Sequence, residues 1–404
     1  MIGKNILLAA ALCAGEMSMA IQFDGTLTDK LPGWSFKASK PKDGLVYNEF
    51  EGYYPDKGGK LSSAPIRIGE RPSGSFYRVR FDAKAPERSY WGVDFFDASD
   101  KLLPDYYGVI HPGDRAGYEF IIYAMGKVDS MRVFFQSNRG IEAWNLSVEP
   151  ATPEEAARWC DELYATLPPI DFKAAADSFQ KLPRTAEALR TGRPWRVVFL
   201  GDSIMQDAFH SQFESLVKRE FPKSNLDYII SMRGSTGCWF YRKPENFQSY
   251  VAAMKPDLLV IGGISNYQGK DKAADTAAIL EVAERARKEL GCEVLLLTGA
   301  LSIDTRGKET APRKWALEAD KEVQKMNDFE RLYSGAAKLD IPVWDMTTPC
   351  YNWLYASGKP YEFHSRDYVH SGERGKQIIG RRNFDGDSRL RPAQEFTVQS
   401  IALE

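Results

Sequence analysis

The stretch Arg196-Val197-Val198-Phe199-Leu200-Gly201-Asp202-Ser203 decides how the C-terminal half of this chain is read. Five residues of continuous β-favouring, mostly apolar sequence predict a buried strand, and Gly201 ends it. The residues after Ser203 predict a helix running through about Arg219. A serine on a strand-to-helix turn is a position from which a hydroxyl can be presented at the edge of a sheet.

Four further apolar runs follow. They are Leu226-Asp227-Tyr228-Ile229-Ile230-Ser231-Met232, Asp257-Leu258-Leu259-Val260-Ile261-Gly262-Gly263, Glu293-Val294-Leu295-Leu296-Leu297 and Ile341-Pro342-Val343-Trp344-Asp345. Helical segments at Ala273–Leu290 and Leu317–Lys338 lie between the later ones. Continuous apolar strands alternating with helices predict a five-stranded parallel sheet covered on both faces. Ligands of such sheets sit beyond the carboxyl ends of the strands. Ser203, Gly237, Asn266 and the Asp367–His370 segment all lie in such positions or in a late loop.

Working back towards the N-terminus, the pattern changes. Residues 151–194 predict a helical connector, with Thr152 as N-cap and Pro153 in the first turn. A second helix there spans about Ala174 to Leu189, interrupted at Pro183. From Ile21 to Pro150 the signal is period-two alternation and β-rich runs, as in Ser75–Phe81, Tyr90–Phe96 and Ser130–Phe135. Asp56-Lys57-Gly58-Gly59 and Pro72-Ser73-Gly74 mark turns. An all-β, jelly-roll-like sandwich is expected for residues 21–150. Residues 1–20 read as a signal peptide: Lys4, then an apolar run from Ile6 to Ala14, then small residues in Ser18-Met19-Ala20. Leu12, before Cys13, is bulky where a lipidated cysteine requires a small neighbour. The organisation expected is therefore 1–20 leader, 21–150 sandwich of carbohydrate-binding-module type, 151–194 connector, 195–385 catalytic domain and 386–404 tail. Export to the periplasm or the outside follows from the leader.

A net charge of −2 with mixed signs gives no electrostatic reason to expect nucleic acid or an anionic membrane as partner. Cys160, Cys238, Cys292 and Cys350 form no C-x-x-C pair, so a metal or redox motif is not expected. Disulfides and buried free thiols both remain open.

The four histidines make the search for a general base short. His111 belongs to the β region. His210 lies seven residues beyond Ser203, about 10 Å along a helix. His364 follows Phe363 and reads as a cleft or surface residue. His370 has Asp367 three residues upstream and a helix from about Glu373 to Arg382 downstream, which supplies the orienting carboxylate a triad base needs. Met205 stands where a G-x-S-x-G elbow has its second glycine, which argues against an ordinary α/β-hydrolase.

With these residues in view, the chain resembles an SGNH (GDSL-type) hydrolase from roughly Trp195 to Arg382. The first block of that family matches Gly201-Asp202-Ser203 and the last matches Asp367 and His370. The second block, a glycine after the second strand, fits Gly237 first and Gly234 second. The third, ordinarily Gly-x-Asn-Asp, reads Gly263-Ile264-Ser265-Asn266-Tyr267 here, with the asparagine one residue late and the aspartate absent. The resemblance implies a flavodoxin-like α/β/α domain and a serine esterase with Ser203, Asp367 and His370 as triad. It further implies an oxyanion hole from the Ser203 and Gly237 N–H groups and the Asn266 side chain, with no cofactor or metal.

Among the family's substrates, O-acetylated polysaccharide or glycan is favoured by the leader, by the sandwich and by aromatics near the site. Trp239, Phe240 and Tyr241 follow Gly237, Tyr267 follows Asn266, and Tyr351, Trp353, Tyr355 and Tyr361 precede Asp367. Of these, Trp239, Tyr267 and Trp353 are the expected sugar contacts. Tyr90, Trp91, Tyr106 and Tyr107 offer a second platform on the sandwich, unless they are core. Alternatives are a lipid or thioester hydrolase, a glycan O-acyltransferase using the same triad, and a glycan-binding protein without catalysis. Oligomeric state is not readable.

Overall fold

The computed structural model describes residues 21–23, 35–38, 59–137, 141–167, 180–262, 272–299, 330–346, 359, 363–367 and 369–388. Among the described residues the N-terminal region has ten strands. They are β1 (Ile21–Phe23), β2 (Ser35–Ala38), β3 (Gly59–Ser62), β4 (Ile66–Arg67), β5 (Ser75–Ala85), β6 (Ser89–Phe96), β7 (Leu102–Ile110), β8 (Gly113–Ala124), β9 (Ser130–Ser137) and β10 (Glu142–Ala151). They form two antiparallel sheets, ordered β1-β10-β5-β8 and β2-β3-β9-β6-β7, with β4 paired to β9. Alternation along β5 explains why they close into a sandwich. Val79, Phe81 and Ala83 are buried while Arg80 and Lys84 are exposed, so one face is apolar. Phe81 meets Trp91 of β6 and Phe135 of β9 across the two sheets, with ring centroids 5.4 and 5.0 Å apart.

Trp91 and Tyr106 are fully buried in this core. Of the four aromatics that could have been either a sugar platform or core, these two are core, while Tyr90 and Tyr107 are only partly covered.

Next come α1 (Pro153–Ala165) and α2 (Pro183–Thr191). Thr152 and Glu155 form a reciprocal capping box at the start of α1. Pro183, where the sequence predicts an interruption, opens α2. At the first helical position its missing N–H costs nothing and its fixed φ suits the turn. The upstream part of that expected helix, 174–179, lies outside the described residues.

The rest is an α/β unit: β11 (Pro194–Gly201), α3 (Ser203–Phe209), α4 (Phe213–Glu220), β12 (Asn225–Met232), α5 (Cys238–Tyr241), α6 (Pro244–Tyr250), β13 (Leu258–Gly262), α7 (Lys272–Leu290), β14 (Glu293–Leu297), a helical stretch at 330–338, β15 (Val343–Trp344) and α8 (Glu373–Ser388). The sheet order is β12-β11-β13-β14-β15 and every pairing is parallel. This is the doubly wound, flavodoxin-like order, 2-1-3-4-5 within the unit. Every residue of β13 and β14 is buried, which is why these strands read as unbroken apolar runs. The fifth strand is two residues long, shorter than Ile341–Asp345 suggested.

The expected helix from Ser203 to Arg219 is two helices. Gln212 sits between them at φ 58°, and its side-chain Nε2 donates to the Ile121 carbonyl of β8 at 2.6 Å. A contact with the sandwich, invisible in local sequence, sets this break. The sandwich and the α/β unit share further contacts: the ring of Tyr123 lies 5.8 Å from Phe209 and 6.4 Å from Tyr228. Cys160, Cys238 and Cys292 are buried free thiols, and Cys350 lies outside the described residues. No described helix is long and apolar enough to cross a membrane.

Candidate active site

Ser203 is the first residue of α3, directly beyond the carboxyl end of β11. The turn is tight for two reasons. Gly201 faces Gly262 across β11 and β13, and a Cβ on Gly201 would come within 2.4 Å of the Gly262 carbonyl oxygen and 2.7 Å of Met205. Asp202, fully buried, caps α3 by accepting from the Ile204 N–H at 2.9 Å. Its buried carboxylate therefore serves the backbone, and Ser203 is left half-exposed at the sheet edge. The N–H of Ser203 has no intrahelical partner at this position.

His370 comes to Ser203 from the other end of the unit. Its Nε2 lies 2.8 Å from Ser203 Oγ. Its Nδ1 lies 2.8 and 2.9 Å from the two oxygens of Asp367. With Nδ1–H donating to the carboxylate, Nε2 accepts from the serine hydroxyl. Asp367 is fixed in turn, since its Oδ1 also accepts the backbone N–H of Val369 and of His370, each at 2.8 Å. The side chain of Asp367 is 4% exposed and that of His370 23%. The carboxylate is thus enclosed while the imidazole reaches the surface beside Ser203.

The segment carrying this pair is a closed loop. Ser365 and Ser371 form an antiparallel bridge, and the Arg366 N–H donates to the His370 carbonyl at 3.0 Å. His364 ends the loop from within: its carbonyl accepts from Gly372 at 2.9 Å and Gly375 at 3.2 Å at the start of α8. It is 1% exposed, not a cleft or surface residue as expected. Burial, and then the charge of Arg374, push its imidazole down to about 4.

Gly237 is buried and is the N-cap of α5, beyond the end of β12, whereas Gly234 is exposed. Trp239, two residues on, is half-buried. Tyr241 differs from the expectation of a flanking sugar aromatic: it is fully buried. Its hydroxyl donates to the Gly201 carbonyl at 2.6 Å and accepts from the Arg233 N–H at 2.9 Å. It ties the second loop to the end of β11. Asn266, Tyr267 and Trp353 lie outside the described residues, as do Tyr351, Tyr355, Tyr361 and the segment Ser302–Trp315.

Several residues around the pair were not among those expected from the sequence. Asp207 on α3 receives Arg366 and the Ser371 N–H, the latter at 2.8 Å. Gln206 donates to the side chain of Asp105 on β7 at 2.5 Å. Arg88, just before β6, donates to the Ser365 carbonyl at 2.7 Å. Lys376 of α8, 1% exposed, donates to the Tyr107 carbonyl at 2.6 Å, and burial pushes its ammonium down to about 8. One cue was available for Asp207: it lies four residues after Ser203 and so on the same helix face. Contacts with β6 and β7 had none, being tertiary. His210 packs against the ring of Tyr106 at 5.3 Å. No three His, Cys, Asp or Glu side chains gather as metal ligands among the described residues.

No family model and no curated protein matches the chain. Solved structures with a similar course include a two-domain esterase (CEX) active on acetylated mannans, at 15% identity and TM-score 0.40, covering 54% of this chain and 56% of that one. A peptidoglycan O-acetylesterase aligns at 9% identity and TM-score 0.30, over 93% of this chain and 79% of that one. TesA aligns at 18% identity and TM-score 0.32, over 47% and 97% respectively. The chain spans just over half the length of the mannan esterase. Likenesses this distant leave function to be argued from the chain's own residues.

Proposed function

We propose that this chain is a serine esterase of the SGNH (GDSL) type, acting on O-acetylated polysaccharide or glycan. The observation that carries the reading is the relay Ser203 Oγ–His370 Nε2 at 2.8 Å with His370 Nδ1 on Asp367 at 2.8 Å. In the reaction His370 takes the Ser203 proton as the hydroxyl attacks the ester carbonyl, and Asp367 holds the imidazole in the required tautomer and stabilises the imidazolium. The N–H groups of Ser203 and Gly237 and the side chain of Asn266 receive the oxyanion; loss of one such donor costs on the order of 10²–10³ in rate. His370 then protonates the departing sugar hydroxyl. Water, deprotonated by His370, hydrolyses the acetyl-enzyme and regenerates Ser203.

The glycan assignment rests on the aromatic side of the site, with Trp239 half-buried two residues beyond Gly237, and on the sandwich preceding it. Trp239, Tyr267 and Trp353 are the proposed sugar contacts. Export rests on the leader-like sequence before Ile21.

The test is acetate release from acetylated xylan, mannan, pectin and sialylated glycans, with p-nitrophenyl acetate and octanoate as reference esters and Ser203→Ala beside the wild type. Acetate release that falls by at least about 10³-fold in Ser203→Ala supports the reading. Activity unchanged in that variant would remove Ser203 from the mechanism. Hydrolysis confined to octanoate would replace the glycan by a lipid, and acetyl transfer seen only with an acceptor sugar would make the chain a transferase.

A further inference from the structure

The distance between Ser203 and His370 is set by two elements far apart in sequence, and a pair of buried charges joins them. Asp207 is 2% exposed and lies one turn along α3 from Ser203. Its Oδ1 accepts from Arg366 Nη1, and its Oδ2 accepts the N–H of Ser371 at 2.8 Å. Those two partners are the residues immediately before Asp367 and immediately after His370. The Arg366 guanidinium, 8% exposed, also donates to the Ser371 carbonyl at 3.3 Å, and its Nε lies 3.9 Å from Asp367 Oδ2. Its planar group lies 5.7 Å from the ring centroid of Tyr107 on β7. Arg88 holds the same loop at the Ser365 carbonyl.

We propose that Asp207 and Arg366, the latter with its guanidinium over the ring of Tyr107, are positioning residues that lock the Asp367–His370 loop onto the helix of Ser203. The inference rests on the reading of Ser203, His370 and Asp367 as the reacting groups. The clamp touches neither Ser203 nor the His370 ring; its one side-chain contact with the triad is Arg366 Nε, 3.9 Å from Asp367 Oδ2. It works through geometry: one carboxylate anchors the loop at both ends of the Asp367–His370 step, so His370 cannot retreat from Ser203 without breaking a buried ion pair and a backbone hydrogen bond. A catalytic group misplaced by about 1 Å costs on the order of 10² in rate. The sandwich is thereby part of the catalytic support, through Tyr107 and Arg88, in addition to any glycan it binds.

The experiment uses the full chain with Asp207→Asn, Arg366→Lys and the double variant Asp207→Asn/Arg366→Met, which removes both members of the buried pair together and so serves as the folded test case. Each is titrated with a fluorophosphonate that labels an activated serine, then assayed on p-nitrophenyl acetate per labelled site, with circular dichroism to check the fold. The clamp predicts near-complete labelling of every chain. The labelling rate constant and kcat should fall by roughly 30–100-fold in Asp207→Asn and in the double variant, with KM within about twofold. Arg366→Lys, which keeps the charge opposite Asp207, should recover part of that loss. Two results would overturn the clamp: wild-type labelling rates in the folded double variant, or fewer labelled chains with an unchanged rate constant, which is the signature of partial unfolding. A folded wild type that neither labels nor hydrolyses esters overturns the proposed function instead, and the clamp with it.

Discussion

Asp367 illustrates how much a single side chain can be asked to do. One oxygen accepts two backbone N–H groups, and both contact the imidazole of His370. In Asp367→Asn the amide oxygen can keep the two backbone bonds, so the loop should fold as before. The tautomer of His370 is no longer enforced, and kcat on p-nitrophenyl acetate should fall on the order of 10³–10⁴-fold with circular dichroism unchanged. A loss under tenfold would mean the imidazole is oriented by something else. At this scale Ser203, Asp367 and His370 were legible because the chemistry of a triad restricts residue type and only four histidines compete. Arg366 and Asp207 were not legible, since an Arg–Asp pair 159 residues apart has no pattern until the loop closes.

Among the elements, α4 carries an unusual burden. Glu214 in its first turn is 4% exposed, and its carboxyl oxygens find no hydrogen-bond partner among the described residues beyond its own backbone. Burial pushes its carboxyl up to about 8, far above the 4.5 of a free glutamate. The folded chain therefore keeps a proton that the unfolded chain releases. Stability from this group is whole below about pH 4.5 and is lost as pH rises through about 8. Glu214→Gln should remove that loss: its thermal midpoint should vary less than the wild type's between pH 5 and 8, and the variant should be the more stable at pH 8. A wild-type midpoint that does not fall relative to the variant over that range would refute a buried neutral Glu214. The sequence showed α3 and α4 as one helix because its apolar period runs through His210; the break at Gln212 depends on the Ile121 carbonyl.

For the whole molecule, the question is whether the sandwich is an appendage. One apolar cluster runs through both parts, from Phe81 and Trp91 to Val198 and Leu259. Tyr123 meets Phe209 and Tyr228 at the joint, and the Met125 sulfur lies 3.3 Å from the Ile230 N–H. Folding should therefore couple the two parts, giving a single calorimetric transition. Tyr123→Ala, removing a buried ring, should cost on the order of 3–5 kcal/mol and lower near- and far-ultraviolet dichroism signals together. Two separated transitions, with only one moved by the substitution, would show that the parts unfold independently.

The sequence by itself determined the architecture of each part. Strand period, apolar run length and punctuation by Gly and Pro are local quantities, so the parallel sheet after Trp195 and the antiparallel strands before it could be read directly. It also determined which residues could form a triad, because the chemistry leaves few candidates. Only the tertiary structure decided which aromatics are core and which are not, since Trp91, Tyr106 and Tyr241 differ from Trp239 in what covers them. It alone decided that the sandwich reaches the His370 loop through Arg88 and Tyr107. Burial and long-range pairing are properties of the closed chain, and no window of sequence contains both partners.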